Sequence, residues 1–108
     1  MVAGSNPDSS FSSVFIHLNI FYMPYFVYIL QSIKDSRFYI GSSSDVISRL
    51  NFHNEGKQRS TRHRIPFKLV YQEVLPTKQE ALLREKQIKS YKGGNAFKKL
   101  ISSEIAIT

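Results

Sequence analysis

The chain contains no cysteine. That excludes a disulfide framework and any thiolate zinc site, and it fits a reducing cytosol, so a cytoplasmic protein is expected. No apolar run approaches the roughly 20 residues that a membrane-spanning helix needs, and no membrane partner is expected. No Lys or Arg precedes Lys34. The apolar stretch at residues 11–22 therefore lacks the positive start of a secretory signal. Internal repeats are absent too. Acidic residues are scarce, with 8 Asp and Glu against 15 Lys and Arg, a net charge of +7. Such an excess favours a polyanionic partner, nucleic acid ahead of an anionic membrane. A merely soluble basic protein stays open on charge alone.

At 108 residues the chain is one domain by length. It is large enough for a single modest core and small enough to depend on good packing. Residues 1–23 differ in kind from the rest. Residues 1–13 are rich in Ser, Gly, Asn and Pro and read as disordered. The apolar stretch after them is interrupted by His17 and Asn19. Met23 reads as the natural start, with the residues before it an extension that carries no function. Residues 24–103 form the expected domain, and 104–108 a tail.

Two arms, residues 25–31 and 36–41, are rich in aromatic and β-branched residues. A short polar link with Lys34 and Asp35 joins them, the signal of a β-hairpin. If the arms pair, Tyr28 and Tyr39 come close on adjacent strands. Strands favour tyrosine in any case, so neither residue alone is informative.

Ser42, Ser43, Ser44 and Asp45 offer helix N-caps. Val46, Ile47 and Leu50 then follow helical spacing, and Gly56 ends the helix. Arg49 and His53 stand four apart on one face of it. His53 falls beside Val46 and Leu50, where a partly buried structural histidine is the commoner reading. Residues 56–66 form a loop with Lys57, Arg59, Arg62, His63 and Arg64 close together. A solvated loop is the plain reading; a loop that grips phosphate is the sharper one. Residues 67–72 alternate as a third strand.

Thr77 and Glu80 make a capping box for a helix through Ala81, Leu82, Leu83 and Ile88 that ends at Gly93 and Gly94. Glu85 falls on its apolar side, which is costly unless the carboxylate is paired or holds a cation. A salt bridge to Lys89 at i+4 would satisfy it cheaply. A last helix from Asn95 to about Ser103 buries Phe97, Leu100 and Ile101. Lys86, Lys89, Lys92, Lys98 and Lys99 extend the basic surface. The order β-β-α-β-α-α predicts an α/β fold, a small three-stranded antiparallel sheet flanked by helices.

A hydrophobic strand with Val27-Tyr28, followed by Tyr39-Ile40-Gly41, resembles the signature of the GIY-YIG nuclease family. Phe26-Val27-Tyr28 stands where the signature has Gly-Ile-Tyr, so only the tyrosine is kept there. The likeness covers residues 24 to about 101 and is closest to small, stand-alone bacterial members. It implies that Tyr28 and Tyr39 are the two signature tyrosines, Arg49 the catalytic arginine and Glu85 the single metal-binding glutamate. His53 matches a position that is histidine or tyrosine in different branches. Asn95 matches a family asparagine or is a plain N-cap. Ser42 stands where some repair members carry a basic residue.

The resemblance implies a DNA endonuclease dependent on Mg²⁺, with Mn²⁺ able to substitute. Phosphodiester hydrolysis builds negative charge on the phosphoryl oxygens. Arg49 can hold those oxygens with an always-charged fork. Glu85 can hold one Mg²⁺, which keeps several waters and uses few carboxylates. A water must also lose a proton, and Tyr28, Tyr39 and His53 are all candidates to take it. Lys57, Arg59, Arg62, Arg64, Lys89 and Lys92 are expected to contact the nucleic acid. With no room for a separate reading domain, selection by shape in DNA repair or processing is expected, on branched, nicked or single-stranded DNA, with RNA not excluded. A non-catalytic nucleic-acid-binding module on the same fold is the alternative. A basic structural protein of a nucleoprotein particle is a third reading, but it needs no carboxylate on the inner face of a helix.

Overall fold

The computed structural model describes residues 23–107, with side chains through Ser103. The reading of residues 1–22 as a functionless extension lies outside the described residues. The elements run β1 (Tyr25–Ser32), β2 (Phe38–Ser43), α1 (Val46–Asn54), a short 3₁₀ helix (Arg62–Arg64), β3 (Phe67–Leu75), α2 (Lys78–Ser90) and α3 (Asn95–Ile107). No described helix is long and apolar enough to cross a membrane.

The sheet has the order β2-β1-β3 and both pairings are antiparallel. β1 is therefore central, and helices cover both of its faces. That is why Val27, Tyr28, Ile29 and Leu30 are all buried although a strand alternates its side chains. Val27 and Ile29 pack with Tyr71, Ala81, Ile88 and Phe97 under α2 and α3. Tyr28 and Leu30 pack with Val46 and Phe67 under α1. The expected sheet flanked by helices is thus observed.

β3 continues three residues past the expected end at 72. It pairs with the whole of β1, from Ser32↔Phe67 to Tyr25↔Leu75. The register slips between Ile29↔Tyr71 and Leu30↔Leu69, which leaves Val70 as an extra residue and bends the strand.

The helix ends follow the local chemistry. The Asp45 carboxylate accepts from the Ser48 N–H at 3.1 Å and caps α1. Gly56, at φ +75°, takes the left-handed position after α1. The Thr77 hydroxyl accepts from the Glu80 N–H at 3.1 Å and caps α2. Asn95 is not a cap. It is the first helical residue of α3, and the Gly94 carbonyl accepts from the Lys98 N–H instead. α3 also extends to Ile107, so residues 104–107 continue the helix rather than form a tail. The apolar faces are narrower than spacing predicts. Ile47, Leu82 and Leu83 are exposed, because each helix meets the sheet along one line only.

Two loops are joined at the turn of the hairpin. The Ser32 hydroxyl donates to the Arg64 carbonyl at 2.6 Å and accepts from the Lys34 and Asp35 N–H groups. Lys34 Nζ donates to the His63 carbonyl at 3.1 Å. Asn54, at the end of α1, accepts from the Phe67 N–H at 2.6 Å and donates to the Phe67 carbonyl at 3.0 Å. α1 is thereby docked against the start of β3, which sets the position of His53 one residue earlier.

Candidate active site

The site lies on the face of the sheet that α1 covers. Tyr28 stands opposite Gly41, and Tyr39 lies two residues along from Gly41 on β2. The two tyrosines are therefore diagonal neighbours on one face, with ring centroids 6.3 Å apart. The Tyr28 ring lies over Gly41. A Cβ at position 41 would stand 2.6 Å from the Tyr28 hydroxyl oxygen and 2.8 Å from Cζ. The glycine is there to admit the phenol.

α1 delivers Arg49 and His53 to this face. His53 is fully buried between the aromatic rings of Tyr39 and Phe67. Its Nε2 lies 3.3 Å from the Tyr28 hydroxyl and its Nδ1 3.1 Å from the Thr61 hydroxyl. Thr61 is itself buried and can donate to the Gln58 carbonyl, 3.5 Å away. In that arrangement Thr61 accepts from Nδ1–H, and Nε2 is left to accept the Tyr28 proton.

Burial lowers the His53 pKa from 6.5 to about 4, and the nearby Arg49 charge adds to the drop. Burial also pushes the Tyr28 phenol above its usual value. A hydrogen bond from Arg49 offsets part of that, while the charges of Tyr39 and Glu85 add to the rise. Both groups are therefore neutral at pH 7.

The His53 shift has a consequence for stability. The unfolded chain takes up this proton near pH 6.5, whereas the folded chain resists until about pH 4. The stabilisation is complete above pH 6.5 and is lost as the pH falls through that window, by roughly 3 kcal/mol in all. Melting curves of wild type and His53→Gln between pH 7 and 4 should show a steeper loss for wild type. Parallel losses would place the acid sensitivity elsewhere.

Arg49 is held from two sides. Its guanidinium stacks over Phe52, 4.2 Å from the ring centroid, and its Nη2 donates to Gln58 Oε1 at 3.1 Å. Gln58 Nε2 in turn donates to the Tyr39 hydroxyl at 3.2 Å. Gln58 and Thr61 were not foreseen from sequence. Both sit in a loop whose charged residues dominate the pattern, and a lone Gln or Thr there carries no periodic signal.

Glu85 approaches from the other side of the sheet, around the edge strand β2. Ser42, opposite Val27, shares the face that α2 covers. Its hydroxyl donates to Glu85 Oε1 at 2.8 Å. Lys89 Nζ donates to Oε2 at 2.7 Å, so the expected i,i+4 pair is formed. The Glu85 side chain is 16% exposed. Its charge still bears on Tyr28.

The expected nucleic-acid contacts divide. Arg59 and Arg62 are exposed on the loop that carries Gln58 and Thr61. Lys57 is exposed and pairs with Glu55 at 3.0 Å. Lys92 is exposed just after α2. Arg64 is withdrawn from solvent: its side chain is 12% exposed, bonded to Asp35 at 3.1 Å and stacked on Phe67. It holds the hairpin turn to the 3₁₀ helix. Lys89 is engaged by Glu85. Asn95 is exposed, and no side-chain hydrogen bond joins it to the site among the described residues.

The family model of the GIY-YIG catalytic domain matches residues 24–98. A UPF0213 protein of Staphylococcus epidermidis is 47% identical over 68 residues, covering 62% of this chain and 82% of that protein. A UPF0213 protein of Staphylococcus aureus is 46% identical over the same length, with the same coverage of both. A UPF0213 protein of Bacillus halodurans, solved by solution NMR, is 37% identical, with a TM-score of 0.47, and the match covers 74% of this chain and 84% of that one. The tyrosine pair, Arg49, His53 and Glu85 all fall inside the matched span, and this chain belongs to the GIY-YIG family of nucleases.

Proposed function

We propose that this chain is a Mg²⁺-dependent endonuclease that hydrolyses DNA phosphodiester bonds, choosing substrates by shape rather than by sequence, in DNA repair or processing in the cytoplasm. One observation carries the reading: a buried Tyr28–His53–Thr61 line stands beside an arginine whose position is held by Phe52 and Gln58. A purely structural cluster has no need of a fixed guanidinium next to a phenol with a proton acceptor behind it.

The resting Tyr28 is a phenol, not a phenolate, because burial opposes its charge. It works as a relay. Its oxygen takes a proton from the attacking water as its own proton passes to His53 Nε2, 3.3 Å away. The Arg49 charge is part of what keeps the imidazole from accepting. A substrate phosphate on Arg49 neutralises that charge, so His53 becomes a better acceptor once substrate is bound. Arg49 also stabilises the charge that grows on the phosphoryl oxygens. Tyr39, bonded through its oxygen to Gln58, has its own proton free for a phosphate oxygen or the water.

The residues fit a single Mg²⁺. Glu85 offers one carboxylate on which the Ser42 hydroxyl and the Lys89 ammonium already converge, and Mg²⁺ is commonly held by one or two carboxylates, waters and substrate phosphate. Glu85 is the carboxylate that would hold it. The Lys89 pair that now occupies one oxygen is an i,i+4 pair, exposed on the lysine side and worth about 0.5 kcal/mol, so it yields readily. When bound, the ion would neutralise charge on the phosphoryl and leaving oxygens.

The exposed cations Lys57, Arg59, Arg62 and Lys92 suit phosphates. Phosphate contacts position a nucleic acid without reading its sequence. Affinity for DNA should therefore fall steeply with salt, and Arg59→Ala or Arg62→Ala should flatten the slope by roughly one unit. Arg64→Ala should instead lower the melting temperature, since Arg64 binds Asp35. Salt-independent binding would count against the nucleic-acid reading.

A non-catalytic binding module is the second reading, favoured by the two hydrogen bonds already on Glu85. Incubation of the purified chain with nicked, branched and single-stranded DNA, and with RNA, with and without Mg²⁺ or Mn²⁺, separates the two. Metal-dependent cleavage of a DNA form supports the endonuclease. Binding without cleavage of any substrate supports the module.

A further inference from the structure

Gln58 touches both arms of the site. Its side chain lies between Arg49 and Tyr39, and its main-chain carbonyl lies under Thr61 and hence behind His53. A guanidinium is donor-only, so the amide must turn its oxygen to Arg49, as the 3.1 Å contact shows. The amide nitrogen then faces Tyr39 at 3.2 Å and Ser60 at 3.2 Å. The amide's oxygen and both of its protons are in use. Its main-chain carbonyl accepts from the Thr61 hydroxyl at 3.5 Å, the Thr61 N–H at 3.2 Å and the Arg62 N–H at 3.0 Å.

This arrangement gives the two tyrosines opposite roles. Tyr28 faces an imidazole nitrogen and can pass its proton inward. Tyr39 faces an amide N–H, so its oxygen is already an acceptor there and its proton is left to a partner other than Gln58. We infer that Gln58 is a positioning residue that clamps Arg49 against Phe52 and commits Tyr39 to donate a hydrogen bond to the substrate. Tyr39 is then a phosphate or water holder and not the base. The catalytic part of this inference rests on the nuclease reading; the clamp itself does not.

Two substitutions separate the amide's functions. Gln58→Ala removes both contacts. Gln58→Glu keeps an acceptor for Arg49 but sets a second acceptor against Tyr39, which turns the phenol proton inward. On a labelled branched DNA duplex with Mg²⁺, each variant should lose about 10- to 100-fold in kcat, the scale of a misplaced catalytic group. Melting temperature should hold in both. The side-chain ¹⁵N signals of Arg49 supply a readout that does not need turnover. They should show a fixed guanidinium in wild type and in Gln58→Glu, and a measurably faster rotating one in Gln58→Ala. A Gln58→Glu protein that cleaves like wild type overturns the donor role of Tyr39. An Arg49 signal unchanged in Gln58→Ala overturns the clamp. If wild type cleaves nothing, the nuclease reading and the Tyr39 role fall together, while the Arg49 signal still decides the clamp.

Discussion

Glu85→Gln is expected to abolish cleavage and leave nucleic-acid binding intact or slightly tighter. The amide keeps the shape of the side chain and still accepts from the Ser42 hydroxyl, now 2.8 Å from Oε1. What it lacks is the charge that attracts Mg²⁺. Removing a negative charge from a chain of net charge +7 does not repel a polyanion. Arg49→Ala should also abolish cleavage, by roughly 10²- to 10³-fold, because its contact strengthens as charge develops on phosphate. Binding should weaken somewhat, since the same guanidinium meets phosphate in the ground state. If Glu85 were only the partner of Lys89, Glu85→Gln would cost about 0.5 kcal/mol of stability and leave turnover alone. Nicking of labelled DNA by the three proteins, with melting curves alongside, decides this. Full turnover in Glu85→Gln would remove the metal-site assignment.

Gly41→Ala should be nearly as damaging, although it adds one methyl group and touches no charge. The new Cβ falls 2.6 Å from the Tyr28 hydroxyl oxygen, 2.8 Å from Cζ and 3.1 Å from Tyr39 Cε2. Position 41 has no positive φ, so the backbone accepts alanine and the clash is with the side chains. Tyr28 is buried and cannot swing into solvent. The ring must shift, and the 3.3 Å contact to His53 shifts with it. The expected cost is about 1–3 kcal/mol of stability from overpacking. Cleavage should fall by about 10²-fold, the scale of a displacement near 1 Å. Tyr28→Phe is the control: it keeps the ring and the packing but removes the relay. A Gly41→Ala protein that cleaves at wild-type rate would mean that the phenol need not sit where it does.

Much of this was legible from local chemistry. The hairpin followed from two aromatic, β-branched arms about a polar link. Asp45, Thr77 and Gly56 mark helix ends because capping is decided within a few residues. Asn95 is not the cap although asparagine is a preferred one, because glycine is accepted at that position too and the chain path puts Gly94 there. Ile47, Leu82 and Leu83 misled because a helix's apolar spacing does not say how wide a face its neighbour covers. Arg64 looked like a phosphate contact among its basic neighbours. Its use as a staple to Asp35 depends on a loop–turn contact that spacing cannot show.

The order of elements, the tyrosine pair, and the arginine and histidine on one helix face are all readable along the chain. Those depend on periods of two and 3.6 residues, which are local. How these residues act on one another depends on the packed fold. It set Tyr28 against His53, and placed Gln58 between Arg49 and Tyr39. It also brought Glu85 around the edge strand to Ser42, across 43 positions of chain. Hydrogen-bond direction and pKa depend on which groups meet across the fold and on how far water is excluded, and neither is a property of spacing along the chain.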